Sequence, residues 1–313
     1  MMMTPLDPEM RADLAVAQVL GAHHTIMNRH ERGLLKATDS EALHDFRVAI
    51  RTSRSILNQT RGVFPERAYQ RFRSVLAWLA GCTGEARDLD VFLEKMPEFR
   101  HMIPAALHEG LAPLEAVLHG AQKIEQERLA RTCAARRYVA FKRAYGAFLD
   151  ERATHACRTP RGNEPIVGLA SRVIRKRYRK ALAGGRHAGE GATGATLHEL
   201  RKSGKKLRYL IESFRELYPD AEVRDVLKLL KGLQDVLGRL VDLNVQRRLL
   251  REWLPRTDTA RGGLPPAALM ATQALDVLLS QDELKTRESF TERFASFASR
   301  ETRERFERLF GKG

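Results

Sequence analysis

The sequence predicts an all-helical protein that contains an internal duplication, and two observations support this prediction. Strand patterns are scarce, whereas apolar residues recur at helical spacing through long stretches rich in Ala, Leu, Arg and Glu. In addition, LHDFRVAIRTSRSILNQTRGVFPE at residues 43–66 aligns without a gap to LHELRKSGKKLRYLIESFRELYPD at residues 197–220. The offset of 154 residues (197 − 43) is too long for a solenoid unit and indicates two similar subdomains.

Helix-capping residues place both repeated segments on helices. The run at residues 39–41, Asp-Ser-Glu, supplies an N-cap for a helix over residues 41–62. Thr196 has the same role for a helix over residues 197–217, and a proline follows each of these two helices. A third, densely basic helix is predicted at residues 166–182, where it opens the second half of the chain.

The boundary between the two subdomains is predicted within RTPRGNEP, residues 158–165. This segment holds two prolines and a glycine and is short of apolar residues. We therefore expect a first helical subdomain over residues 8–157 and a second over residues 165–311. Two further loops are expected, at residues 183–195 before the second copy of the repeat and at residues 254–266 inside the second subdomain.

The charge balance predicts an anionic partner. Lys and Arg number 54 against 39 Asp and Glu, so the formal net charge is +15 and the sequence pI is about 10.1. Such an excess suits nucleic acid, an acidic membrane surface or a phosphate polymer. A charge that merely keeps the protein soluble is the alternative, because net charge bears on association and not on fold.

Other sequence features favour a cytoplasmic protein. No run of 18 apolar residues predicts a transmembrane helix, and the N-terminus lacks the basic region and apolar core of a secretory signal. The three cysteines are odd in number and lack CxxC spacing. They therefore suggest a reducing compartment, with neither a disulfide framework nor a zinc site.

The side chains that the two copies of the repeat share are mostly cationic. On a helical wheel, His44, Arg47, Arg51 and Arg54 cover about 80° of one face, roughly opposite the apolar residues. We call this face the first stripe. The aligned positions of the second copy form the second stripe, which Lys202 and Lys206 widen, and its members are His198, Arg201, Lys205 and Arg208. Arginine forks and lysine point charges at helical pitch suit a row of phosphates, and a histidine adds a donor that becomes cationic near neutral pH.

A solvated surface is the alternative interpretation of each stripe, because most charged helix faces have no ligand. The presence of cations at matched positions in both copies favours binding. Asp88 and Asp242 also recur at the same offset, and we interpret them as helix caps or as supports for the stripe arginines rather than as catalytic groups.

Less specific patterns add further candidate residues. Both halves carry an Arg-aromatic-x-x-Phe pattern, which begins at Arg137 and at Arg293. On the third predicted helix, Arg172, Arg175 and Arg179 share one face at spacings of three and four. These arginines either line the same binding surface or are simply solvated.

Motifs of catalysis are missing from the sequence. It contains no GxxxxGK[ST], GxGxxG, HExxH or GxSxG pattern and no cluster of acids suited to hold magnesium. The spacing offers binding groups without a nucleophile–base pair. No enzymatic activity, metal or cofactor is therefore expected.

The repeated motifs resemble a known family. LHDFRVAIRTSRSIL followed by GEARDLDVF is similar to the first half of a CHAD domain (conserved histidine α-helical domain), and LHELRKSGKKLRYLIE followed by LQDVLGRLVDLNV to its second half. The resemblance implies two four-helix bundles related by a pseudo-twofold axis, with a basic channel or groove at their junction. It also implies binding of inorganic polyphosphate and association with polyphosphate granules and their other proteins.

Transfer of the family's motif positions gives a set of expected ligand-facing residues. They are His44, Arg47, Arg51, Arg54, His198, Arg201, Lys202, Lys205 and Arg208, with Arg137, Arg293, Arg175 and Arg179 from the less specific patterns. The ExExK motif of the CYTH triphosphatase domains fused to some relatives is absent, which implies a standalone, phosin-like binder. No membrane partner is expected.

A non-specific nucleic-acid-binding helical protein is the competing hypothesis. Such a protein uses groove-reading elements or aromatic stacking platforms. Aromatic residues make up only 7% of this sequence and none lies on the two stripes, which argues against base stacking.

Overall fold

The chain is all-α in a computed structural model. The structure describes residues 5–36, 40–157, 159–187, 193–253 and 265–311. Within these ranges β-structure is limited to one isolated bridge, between Arg11 and Pro165. The predicted fold class is thus confirmed, and none of the described helices has the length and apolarity that crossing a membrane requires.

The first half of the chain consists of α-helices that are mostly long, with short connections. In chain order they are α1 (Ala12–Lys36), α2 (Ser40–Gln59), α3 (Glu66–Cys82), α4 (Gly84–Glu94), α5 (Met96–Met102), a 3₁₀ helix (Ala105–Leu111), α6 (Ala112–Ala134) and α7 (Arg136–Thr154). The second half continues with α8 (Ile166–Arg186), α9 (Gly194–Ser213), a short 3₁₀ helix (Arg215–Leu217), α10 (Asp220–Trp253), α11 (Pro266–Phe297) and α12 (Arg300–Phe310).

The two stripes lie on α2 and α9, although both helices end earlier than the sequence suggested. Helix α2 ends at Gln59, and the chain then turns through Gly62, whose φ of 93° favours glycine. The prediction of Thr196 as an N-cap is wrong: the side chain of Thr193 accepts a hydrogen bond from the Thr196 backbone N–H and caps α9. A threonine three residues earlier thus lets the helix begin sooner.

The loops predicted from glycine and proline are only partly within the described residues. The linker after α7 pairs with the N-terminal segment, since the Ala12 N–H donates to the Glu164 carbonyl at 2.9 Å and the Ile166 N–H donates to the Met10 carbonyl at 2.8 Å. Residue 39 of the predicted α2 cap, residue 158 of the linker, and residues 188–192 and 254–264 of the other two loops lie outside the described part of the chain.

The apolar core is shared between the two halves. A main cluster combines buried side chains of both, among them Phe46 and Ile50 of α2 with Leu207 of α9. A second cluster joins α4, α5 and α6 to the ends of α10 and α11, and includes Phe92 and Leu243. The limits 8–157 and 165–311 stay a prediction, but neither segment buries its apolar side chains alone.

The close approach of the first 3₁₀ helix to α11 yields a test of this shared packing. A Cβ atom added to the buried Gly110 would overlap the carbonyl oxygen of Ala267 and crowd the methyl group of Ala271. Gly110→Ala is therefore expected to lower the free energy of unfolding by about 1–3 kcal/mol, measured by denaturant unfolding.

The control is Gly120→Ala, because no atom lies within 4 Å of the added methyl group on α6. That substitution is expected to be neutral or to stabilise the helix by up to about 1 kcal/mol. An equal effect of both substitutions would contradict the close contact between the 3₁₀ helix and α11.

Candidate anion-binding cleft

Helices α2 and α9 pack against each other and bring the two stripes together in one cleft of about 430 Å³. Six stripe residues from both halves line it: His44, Arg47, Arg51, His198, Arg201 and Lys205. They are matched positions of the two copies of the repeat. The remaining lining residues are Val48, Arg87, Asp88, Val91, Phe92, Glu94, Lys95, Tyr209, Val241, Asp242, Val245 and Gln246.

Helical periodicity explains why the stripes face the cleft. Phe46 and Ile50 of α2 are fully buried in the core, as are Leu200 and Leu207 of α9. Because side chains three and four residues apart share a face, burial of these apolar positions turns the cationic positions outward. The crossing of the two helices then converts two solvent-facing stripes into the walls of a half-buried cleft.

Two of the cleft arginines lie over glycines of neighbouring helices, at distances that would give an added Cβ an ordinary van der Waals contact. Arg47 lies above Gly84, where an added Cβ would be 3.7 Å from its Nη1, and the same Nη1 donates to the Thr83 hydroxyl at 3.1 Å. Arg201 lies above Gly238 in the same way, where an added Cβ would be 3.9 Å from its Nε. The break between α3 and α4 at Thr83 thus supplies a hydrogen-bond acceptor for Arg47.

Two aspartates partly balance the cationic walls. Asp242 forms an ion pair with Arg201, with 3.6 Å between Oδ1 and Nη2. Asp88 lies in the field of Arg47 and Arg248, but burial is the larger effect and raises the pKa of this carboxyl group above its ordinary value. Both acids are placed to support the arginines, in agreement with the interpretation drawn from their recurrence in the sequence.

The cations of the cleft repel one another. Burial, reinforced by Arg201 and Arg51, lowers the pKa of Lys205 to about 7. Burial and the neighbouring Arg51 likewise lower the pKa of Arg47 to about 10. The pKa of His198 is also lowered, mainly by burial and then by Lys202 and Arg201. The cleft therefore holds more positive charge than Asp88, Asp242 and Glu94 compensate, and an anion would relieve the repulsion.

Several stripe residues lie beyond the cleft lining. Arg208 is neutralised by Glu212, with 2.6 Å between Nε and Oε1, and Lys202 by Glu199, with 2.8 Å between Nζ and Oε1. Arg54 is half-buried and lies one turn beyond Arg51, near Arg73 of α3. The structure therefore brings together only part of each stripe.

The residues from the less specific patterns lie elsewhere. The Arg137 guanidinium stacks on the Trp78 ring, 4.1 Å from its centroid, and Arg293 lies beside Gly232 of α10. Arg175 and Arg179 face α12: Arg175 donates to the Gly311 carbonyl at 3.5 Å, and Arg179 pairs with Glu307 at 3.6 Å. None of these four arginines lines the cleft.

The structure also adds residues that the stripes did not contain. Arg87 and Lys95 of the α4 region line the cleft, as do Tyr209 of α9 and Gln246 of α10. Tyr209 follows His198 by eleven residues, which is three helical turns and returns it to the same face. The expectation that no aromatic residue lies on the stripes is therefore wrong for the second copy. Arg87 precedes the repeated Asp88 directly, but only the packing of α4 against α2 assigns it to the cleft.

A neighbouring cavity is lined by more acidic than basic side chains. It measures about 520 Å³ and is lined by apolar side chains of α6 and α10, with Arg248 as its cation and Glu85, Asp88, Glu125 and Glu252 as its acids. Carboxylates would repel an anionic ligand there. Among the cavities described, the cleft between α2 and α9 is the better site for a polyanion.

Comparison with known proteins assigns the family. Two curated proteins from strains CDC 1551 / Oshkosh and H37Rv of Mycobacterium tuberculosis, Uncharacterized protein MT2285 and Uncharacterized protein Rv2226, are each 28% identical over 246 residues. The match covers 76% of this chain and 46% of each relative, so the chain spans about half the length of these proteins.

Solved structures share the fold. The crystal structure of the CHAD domain from the plant Ricinus communis matches with a TM-score of 0.77 and 25% identity, over 94% of this chain and 95% of that one. PptA from Streptomyces chartreusis matches in fold, with a TM-score of 0.69 and 17% identity, over 91% of this chain and 99% of that one. The CHAD domain family model matches residues 18–251, and the chain belongs to this family.

Proposed function

We propose that this protein binds inorganic polyphosphate in the cleft between α2 and α9. The observation that carries the proposal is the convergence of matched cations from both stripes, including Arg47, Arg201 and Lys205, in one half-buried cleft. Successive phosphates would accept charge-assisted hydrogen bonds from the arginine forks and lysine ammonium groups. Release of counterions from the polymer would make the binding strongly dependent on salt.

The lining of the cleft favours polyphosphate over nucleic acid. Single-stranded nucleic acids gain much of their affinity from bases that stack on aromatic side chains. The aromatic residues of the cleft are Phe92, which is only 1% exposed, and the partly buried Tyr209. A polymer that consists of phosphates alone needs no stacking platform and matches a cleft dominated by cations.

We further propose that the chain acts as a binding protein rather than an enzyme, and that it associates with polyphosphate granules in the cytoplasm. Asp242 pairs with Arg201 and Asp88 lies in the field of Arg47 and Arg248, so both carboxyl groups have cationic neighbours. Release of phosphate from polyphosphate in the presence of a divalent metal would revive the enzymatic alternative.

A competition titration tests the proposed ligand. Fluorescent long-chain polyphosphate is bound to the purified protein and displaced by unlabelled polyphosphate, RNA, DNA or free phosphate at physiological salt. Displacement by polyphosphate at far lower phosphate-equivalent concentration than by either nucleic acid is expected. Equal displacement by all the polymers would mean that the cleft responds only to charge density and would favour the nucleic-acid hypothesis.

The same assay tests the site through two variants with equal loss of charge. The cleft variant Arg47→Gln/Arg51→Gln/Arg201→Gln/Lys205→Gln is expected to lose binding by at least about a hundredfold, because each side chain faces the ligand. The control variant Arg137→Gln/Arg175→Gln/Arg179→Gln/Arg293→Gln lies outside the cleft and is expected to lose only a few fold. Similar losses in two variants that retain helical circular dichroism would contradict the assignment of the cleft.

Affinity for polyphosphate is expected to fall as pH rises from about 6 to 8. The pKa of Lys205 is lowered to about 7, so this group loses its proton within this range in the free protein, and burial lowers the pKa of His198 below its ordinary value. A bound polyanion raises both pKa values, so their charge contributes at lower pH and the contribution is lost as pH increases.

The expected change is roughly tenfold between the ends of that range, measured by the same titration. The variant Lys205→Arg/His198→Ala keeps a permanent charge at one position and removes the titrating group at the other. Its pH profile is expected to be flatter, and an unchanged profile would show that other groups titrate.

A further inference from the structure

We propose that a second cationic surface adjoins the cleft and binds the part of a polyphosphate chain that extends beyond it. The protein would therefore bind long chains more tightly than short ones. This outer cationic surface consists of Arg54, Arg73, Arg177, Lys180 and Lys206. The inference rests on the proposed function and adds a specificity for chain length. It concerns residues of α3 and α8 that neither stripe contains.

Helix packing brings these residues together on one side of the cleft. Helix α9 packs against both α2 and α8, and Arg177 of α8 donates a hydrogen bond to the side-chain oxygen of Gln59 at the end of α2. The charges of Arg177, Lys180 and Arg54 contribute to lowering the pKa of Lys206 on α9, after the larger effect of burial. The three helices thus present their cations to a common surface.

The outer cationic surface is continuous with the cleft through α2. Arg54 lies three residues, or nearly one turn, beyond Arg51, which lines the cleft. Arg54 interacts electrostatically with Arg51 on one side and with Arg73 on the other. A chain of phosphates that leaves the cleft at Arg51 therefore meets cations without a gap.

These cations are not neutralised by the protein. Among the described residues, none of them forms an ion pair, and the Arg177 Nε is buried without a hydrogen-bond partner. Glu199 interacts electrostatically with Lys206, and Glu66 with Arg73, but each acid is paired with another cation: Glu199 with Lys202 at 2.8 Å and Glu66 with Arg61 at 2.9 Å.

Two other arginines of α8, which lie towards the linker and α12, are paired with acids. There, Arg172 is paired with Glu164 and Arg179 with Glu307, so those arginines stabilise the contacts of α8 with the linker and α12. On α8, Arg172 and Arg179 thus have acidic partners, whereas Arg177 and Lys180, which act electrostatically on Lys206 of α9, form no ion pair among the described residues. This distribution suits an external polyanion rather than an internal structural role.

The test compares a short and a long ligand on the same protein. Tripolyphosphate and long-chain polyphosphate are titrated against the full chain, the outer variant Arg73→Gln/Arg177→Gln/Lys180→Gln and the control variant Lys123→Gln/Arg131→Gln/Lys285→Gln. The control removes the same charge from exposed positions of α6 and α11. A further variant, Arg73→Gln/Lys180→Gln, changes only exposed side chains and guards against loss of folding.

The outer variant is expected to lose affinity for long chains by roughly tenfold and to bind tripolyphosphate within about twofold of the unmodified protein. Its slope of log affinity against log salt should become shallower by about 2, since three phosphate contacts are lost. The control variant should change neither ligand by more than about twofold, and the two-site variant should show part of the long-chain loss.

Long-chain affinity that falls equally in the outer and control variants, or in neither, would overturn the inference. Equal losses for tripolyphosphate and long chains would also overturn it, because the surface would then belong to the cleft itself. The proposed function fails in a different way, namely if the unmodified protein does not prefer polyphosphate to nucleic acid or if the cleft variant still binds it.

Discussion

The crossing of α2 and α9 is the constraint on which the rest of the site depends, because it forces two cationic helix faces together. Two unit charges 4 Å apart interact by about 4 kcal/mol at an effective dielectric constant of 20. The opposite faces of the same helices bury Phe46, Ile50 and Leu207 in the main core, and this apolar burial offsets the repulsion between the cations. Packing of the apolar faces sets the positions of the two helices, and these positions in turn place the cationic faces next to each other.

The second core cluster fixes the far wall of the cleft. Phe92 belongs to that cluster and also lines the cleft, and the neighbouring residues of α4 and α10 supply Asp88 and Asp242. Because α4 comes from one half of the chain and α10 from the other, the two supporting acids keep their positions only if the halves pack as one unit. A ligand would therefore bind to a surface that neither half could build alone.

The sequence alone was sufficient for the helical class and for the two stripes, since both follow from local periodicity. It could not show which stripe residues would converge, because that depends on the crossing of helices far apart in the chain. Arg201 and Arg208 look alike on a helical wheel, yet one faces the cleft beside Asp242 and the other is neutralised by Glu212. On α8, spacing grouped Arg175 with Arg179 correctly, but only the packing of α12 shows that this face is turned away from α9.

Differences between the aligned copies make the surroundings of the two stripes unequal in charge among the described residues. Asn58 stands where Glu212 stands in the second copy, so Arg54 lacks the partner that neutralises Arg208. Thr52 stands at the position of Lys206, so the lysine that links α9 to α8 has no counterpart on α2. A symmetric pair of stripes would offer a polyanion equivalent exits from the cleft. If polyphosphate binds as proposed, these substitutions make the part of the surface beside α8 the more cationic continuation of the cleft.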